Sequence, residues 1–243
     1  MHRLITGASS GIGRALVARW ARPGTLLSLQ GRDRARLEEV AAAAMQAGAD
    51  VDIRSVDVRD TGALAAWASE RDAARPVDMV VANAGIAGNP GVSGAEIMAV
   101  NAVGKIATVE PLLPRMRARG RGHVVLVSSL ASFLASPTGP AYAASKAAVR
   151  RYGEGLRPRL ARDGVRLSVV CPGFVDTPLT RVNRFPMPFL MDAGRAAEII
   201  DAGLEAGRAR IAFPLPTYLL ARFMGLMPAA LRDPILMRQT PKE

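Results

Sequence analysis

"TGASSGIGRA", residues 6–15, places Gly7, Gly11 and Gly13 in a G-x-x-x-G-x-G spacing directly behind a short apolar run. A strand, a glycine turn and a helix start together make a site where backbone N–H groups can meet an anion. A triphosphate P-loop requires a lysine for the phosphates and a hydroxyl for magnesium. Here Gly13 is followed by Arg14 and Ala15, which supply neither. The common dinucleotide fingerprint, G-x-G-x-x-G, also differs in spacing. Taken alone, the turn suits a dinucleotide pyrophosphate or a plain strand-to-helix connection.

Working outward, short apolar runs alternate with longer alanine-rich stretches. The candidate strands are 3–6, 25–30, 51–56, 77–83, 122–129, 165–171 and 210–213. Helices are expected after Gly11 and over 34–47, 61–74, 94–118, 141–163 and 193–206. Such alternation predicts an α/β fold: a Rossmann-type doubly wound, seven-stranded parallel sheet flanked by helices, in a single domain over 1–243. Ligands in such sheets bind beyond the carboxyl ends of the strands.

The 243 residues are half apolar and carry one cysteine, Cys171, and two distant histidines, His2 and His123. No internal disulfide can form, and no metal site is expected. The glycine turn lies so near Met1 that no signal or transit peptide is expected, and the protein reads as cytoplasmic. The net charge of +11 comes almost wholly from arginine, with only three lysines, Lys105, Lys146 and Lys242. The densest basic run, Arg115 to Arg121, holds no aromatic residue to stack on bases, so no nucleic-acid partner is expected.

The second strand bears on the cofactor. An acidic residue about 20 residues past the glycines would hold a ribose 2′-hydroxyl, whereas an arginine accommodates a 2′-phosphate. The sequence there is Gly31-Arg32-Asp33. Arg32 can meet the phosphate, Asp33 reads as the N-cap of the following helix, and Ser10 can add a hydroxyl contact. NADP(H) is therefore expected in preference to NAD(H), which stays possible.

"YAASK" sets Tyr142 and Lys146 at i and i+4, on one helix face. An ammonium beside a phenol favours the phenolate and makes a general acid/base for a carbonyl or alcohol oxygen. Ser129 ends an apolar strand thirteen residues before Tyr142, pointing to the same edge or simply capping the strand.

Together, "TGASSGIG" (6–13), "NAG" (83–85), "VN" (100–101), "SS" (128–129), "YAASK" (142–146) and "PGFVDT" (172–177) closely resemble the short-chain dehydrogenase/reductase family, over residues 3 to about 178. The resemblance implies that Gly7, Gly11, Gly13 and the Ile12 backbone cradle a pyrophosphate, with Ser9 and Ser10 in the same turn. It implies that Asp57 and Val58 flank the adenine, and that Asn83, Ala84 and Gly85 line the cofactor cleft. Asn101 would support a water chain to Lys146, and Ser129 would polarise the substrate oxygen. Tyr142 would carry the proton, while Lys146 would tune Tyr142 and bind the nicotinamide ribose. Val175 and Thr177, behind Pro172 and Gly173, would contact the carboxamide. A homodimer or homotetramer is implied as well.

Behind "PG", a lid over 179–206 contains Phe185, Met187, Phe189, Leu190 and Met191, with Phe133, Leu134 and Phe174 as expected cleft neighbours. These predict a small hydrophobic carbonyl or alcohol substrate. An apolar extension over 215–243 departs from the family's usual ending; within it, residues 216–238 suit packing on the core or a partner, or peripheral membrane contact. An NADP-dependent oxidoreductase acting on a CH–OH group explains the motifs best. The alternatives are an NAD-dependent alcohol dehydrogenase of the same fold and a non-catalytic NADP-binding sensor.

Overall fold

β1 (His2–Thr6) lies at the middle of one sheet with β2 (Leu26–Gly31) and β3 (Asp50–Ser55) on one side. On its other side follow β4 (Met79–Ala82), β5 (Gly122–Val127), β6 (Val165–Pro172) and β7 (Arg210–Phe213). The order is 3-2-1-4-5-6-7 and every pairing is parallel, as in the register Leu4 to Ser28 on one side and Leu4 to Val80 on the other. This computed structural model describes residues 1–88, 91–183 and 185–237. The chain reverses direction across the sheet between β1 and β4, which opens a crevice at their carboxyl ends.

Both faces of the sheet are covered, so the central strands are near-continuous buried runs rather than alternating ones. One apolar cluster, around Leu16, Leu29, Val81 and Ile200, packs on one face; another, around Leu64, Val80, Leu126 and Val149, packs on the other. The helices flanking the first half are α1 (Gly11–Trp20), α2 (Arg34–Gln46) and α3 (Thr61–Ala74). Asp33 caps α2 as its position predicts, accepting the Arg36 N–H at 3.1 Å.

The helix expected over 94–118 is broken. It runs as α4 (Gly94–Met98), a wide π turn (Ala99–Val103), α5 (Gly104–Val109), a 3-10 turn (Glu110–Leu112) and α6 (Leu113–Ala118). Pro111 lacks an N–H to continue the ladder. The π turn contains Asn101, and such bulges gather at functional positions. Beyond it come α7 (Pro140–Arg162) and α8 (Ala193–Glu205). The apolar tail also folds, as α9 (Leu215–Leu226) and α10 (Ala229–Met237), with Arg238 onward outside the described residues. Among the described residues no helix is long and apolar enough to cross a membrane.

Candidate active site

Gly7 and Gly11 take left-handed backbone angles, φ 65° and 52°, which a side chain would strain. The glycines are also demanded by close packing. A Cβ on Gly13 would lie 2.1 Å from the Gly7 carbonyl oxygen, and one on Gly11 would lie 2.9 Å from the Thr177 methyl. The 172–177 loop thus closes directly over the glycine turn. Asn83 secures the turn from β4, its Nδ2 donating to the carbonyls of Thr6 and Gly7, each at 3.1 Å. Ile12 contributes its side chain to the core.

In front of the turn lies a cleft of about 560 Å³ lined by Gly7, Ser9, Ser10, Arg32, Asp57, Val58, Ala84 and Gly85 among others. Eight residues singled out from sequence therefore meet on one concave surface. Gln30 and Arg36 line it too and were not anticipated. Gln30 is a buried amide in an otherwise apolar strand, and its Oε1 accepts the Gly7 N–H at 3.2 Å. Arg36, in the first turn of α2, meets Asp33 with its guanidinium at 2.9 Å. The Asp57 carboxylate is held by Arg59, whose hydrogen bonds keep it below the usual carboxylate range.

At the other end, α7 is tied down by three short bonds. Ser128 Oγ donates to the Lys146 carbonyl at 2.7 Å, Ser145 Oγ to the Tyr142 carbonyl at 2.7 Å, and Asn101 Nδ2 to Ser145 Oγ at 3.1 Å. The Lys146 ammonium nitrogen lies 5.3 Å from the Tyr142 ring centre. A Cβ on Gly85 would stand 3.1 Å from Asn101 Oδ1 and 3.4 Å from Lys146 Nζ, so only glycine leaves that junction open. Asn101 does not touch Lys146. Its amide clamps the Ile86 main chain, accepting N–H at 2.8 Å and donating to the carbonyl at 2.9 Å. Ser129 starts the 3-10 turn Leu130–Phe133; its Oγ accepts the Ala131 N–H at 3.1 Å and leans toward the Pro172 carbonyl at 3.4 Å.

The protonation balance corrects one expectation. Burial pushes the Tyr142 phenol up, with a hydrogen bond from Ser129 acting the other way. Burial also pulls the Lys146 amine down to about 8. Desolvation is the largest cause at both groups, and both are displaced toward their neutral forms. Tyr142 as a residue is partly exposed. Lys105, which sequence reasoning passed over, is fully buried beneath the site. Its amine donates to the Ala82 and Asn83 carbonyls at 3.2 and 2.8 Å, and burial draws it well below an ordinary lysine.

The remaining loop residues divide. Val175 is buried and bridges to Met191, while Thr177 is pinned by Thr180. Gly173 ties its N–H to the Phe213 carbonyl at 2.7 Å. Phe174 stacks edge-on to Phe185 at 5.9 Å, but Phe185, Phe189 and Leu190 of the lid are all exposed. Leu134 and Phe133 both line a second cavity, of about 730 Å³, beside the turn that Ser129 begins, and Phe133 is braced there as well. Arg150 and Arg210 sit over its ring at 4.2 and 5.4 Å, and Tyr218 of α9 meets it edge-on at 5.2 Å. Cys171 is buried, which pushes its thiol up to about 11.

The family model for short chain dehydrogenase matches residues 2–186. An uncharacterized oxidoreductase of Myxococcus xanthus is 39% identical over 95% of this chain and 94% of its own. The 2-(R)-hydroxypropyl-CoM dehydrogenase of Xanthobacter autotrophicus is 34% identical over 82% of this chain and 88% of its own. A short-chain dehydrogenase from Sphingobium yanoikuyae, solved in complex with NADPH, superposes with a TM-score of 0.81 at 26% identity, covering 99% of this chain and 96% of that one.

Proposed function

This chain belongs to the short-chain dehydrogenase family, and we propose that it is an NADP(H)-dependent oxidoreductase interconverting a hydrophobic ketone or aldehyde with its alcohol. One observation carries the reading. Ser129, at the head of the 3-10 turn that follows β5, and Tyr142 and Lys146 of α7 are held near one another by the Ser128–Lys146 and Asn101–Ser145 bonds, beside a glycine-floored cleft. No need of the fold calls for that set.

The cradle fits a dinucleotide. Gly7, Gly11 and Gly13 leave room where any Cβ would collide, and Arg32 and Arg36 stand on the cleft wall at the end suited to a 2′-phosphate. The Sphingobium protein carries NADPH, in agreement with this choice. Asp33, also on the wall, is occupied by its own helix and by Arg36, so it competes poorly for a ribose hydroxyl. NAD(H) use is the second reading, and Asp33 is the residue that would favour it.

When bound, the reduced nicotinamide supplies the hydride to the carbonyl carbon, and its oxidised form takes one back from the alcohol. The chain's residues do the rest. Ser129 Oγ accepts from Ala131 and donates to the Pro172 carbonyl across a long 3.4 Å, a bond that a substrate oxygen would replace as acceptor. Tyr142 gives its proton to that oxygen in reduction and removes it in oxidation. Below about pH 8 Lys146 is an ammonium, able to hold the nicotinamide ribose and to stabilise the phenolate that Tyr142 becomes. Asn101 acts through the Ile86 backbone and Ser145, and its Oδ1 faces the open junction at Gly85 through which a water could serve Lys146. The Phe174–Phe185 pair supports an apolar substrate, and the Xanthobacter relative is named for dehydrogenation of a secondary alcohol.

Tyr142→Phe tests the proposal. Turnover of hydrophobic carbonyls with NADPH should fall by about 100-fold or more, as loss of a general acid predicts. NADPH binding, followed by its fluorescence, should persist. A fully active variant would overturn the assignment.

A further inference from the structure

α9 is apolar on both sides. Its inner side, with Ala221 and Met224 buried, rests on the Leu130–Phe133 turn so closely that a Cβ on Gly225 would fall 1.8 Å from the Phe133 carbonyl oxygen. The Tyr218 hydroxyl accepts from Arg210 at 3.1 Å and its ring meets Phe133, so the helix is bolted to the sheet rather than hanging from it. The outer side carries Leu215, Leu219, Leu220, Phe223 and Leu226, all exposed, with Leu226 at 79%. At 3.6 residues per turn these positions share one stripe. α10 extends the surface with Leu231, Ile235 and Met237, also exposed. Contiguous apolar surface of this kind marks an interaction site.

Charge selects the occupant. The chain carries +11, and Arg222 stands on α9 within the apolar segment, while Arg232 on α10 is paired with Asp233. A second copy would bring an equally basic body to this face, whereas an anionic bilayer offers apolar depth and opposite charge together. Length selects the orientation. The twelve residues of α9 extend about 18 Å, short of the roughly 30 Å hydrocarbon core, so the helix can lie in a membrane surface but cannot span it.

We propose that the outer face of α9 and α10 docks flat on an anionic phospholipid bilayer, with the leucine and phenylalanine side chains in the headgroup–acyl boundary and Arg222 on a lipid phosphate. This rests on the tail alone and is independent of the oxidoreductase reading. The test uses the full chain and co-sedimentation with phosphatidylcholine vesicles, with and without phosphatidylglycerol, at low and high salt. The wild type should sediment with phosphatidylglycerol vesicles and lose binding as salt rises. Leu219→Glu/Phe223→Glu should bind about tenfold less or weaker still, with an unchanged melting temperature because both residues are exposed. Absence of wild-type binding, equal binding to phosphatidylcholine alone, or undiminished binding by the folded double variant would each overturn the proposal. So would a wild-type dimer that the variant splits while neither form sediments.

Discussion

Replacing Arg32 with alanine removes the guanidinium best placed to meet a 2′-phosphate. Arg32 lies on the cleft wall, and among the described residues it has no side-chain ion pair, whereas Arg36 beside it is already engaged by Asp33 at 2.9 Å. Two unit charges 4 Å apart interact by about 1 kcal/mol in water and about 4 kcal/mol at an effective dielectric constant of 20. A solvent-open cleft sits toward the lower end, so about 1.5–2 kcal/mol is expected from Arg32, or roughly a 10- to 30-fold rise in KM for NADPH. Arg36, diverted by Asp33, should add less when removed as well. Steady-state kinetics with NADPH and NADH side by side measure the effect, and NADH should be nearly indifferent because it lacks the phosphate. Rising salt should erode the wild-type preference but not that of the variant. An equal loss with both cofactors, or none with either, would refute a 2′-phosphate site at the end of β2.

His123 makes the fold acid-labile. It is buried against Ser168 at 2.9 Å with its Nδ1 unpartnered, and burial takes its pKa from 6.5 to about 4. Between these values the unfolded chain gains a proton that the folded chain refuses, so stability is intact above 6.5 and lost as pH falls toward 4. The loss from this group should reach about 2 kcal/mol near pH 5, and His2, lowered by its own burial, acts in the same direction. Urea titrations of wild type and His123→Gln check this; an unchanged slope of stability against pH between the two proteins would defeat it. Two glycines should respond oppositely to alanine. Gly225→Ala, with Phe133 in the way, should cost about 1–3 kcal/mol, while Gly155→Ala in α7, where nothing stands within 4 Å, should gain about 0.5–1 kcal/mol. Thermal melts rank the two variants, and the reverse ranking would count against the packing of α9.

All seven strands lie within two residues of their sequence-based bounds, because parallel strands buried on both faces declare themselves as short apolar runs. Asp33 was legible as a cap for a similarly local reason, the oxygen of a short acidic side chain meeting a free helix N–H. The π turn at Ala99–Val103 was not legible. Its cause is the pull of a non-local partner, the Ile86 backbone, on Asn101. Lys105 escaped notice because its two carbonyl acceptors lie at the end of β4, more than twenty residues earlier. The direction of the Tyr142 shift was misread for the same kind of reason. The i, i+4 pairing with Lys146 is visible along a helix, but the desolvation opposing it comes from the fold as a whole. Helix α9 was disguised by an apolar composition on both sides, which hides the amphipathic period.

Phe133 shows why such non-local couplings matter for the chemistry. The 3-10 turn that begins at Ser129 ends at Phe133, whose ring is enclosed by Arg150, Arg210 and Tyr218 and whose carbonyl presses on Gly225. Arg150 also donates to the Ser132 carbonyl at 3.0 Å, and Glu154 links Arg150 to Arg210. The serine's turn is therefore held from α7, β7 and α9 at once, so its Oγ meets a substrate from a fixed backbone. A lone hydroxyl at a strand end gains little from its own bonds, since the Ser129–Pro172 approach is a long 3.4 Å. Its orientation must come from this scaffold. The tail helices thus bear on Ser129 through the far end of its own turn, and Phe133, which lines the cavity beside that turn, also anchors it.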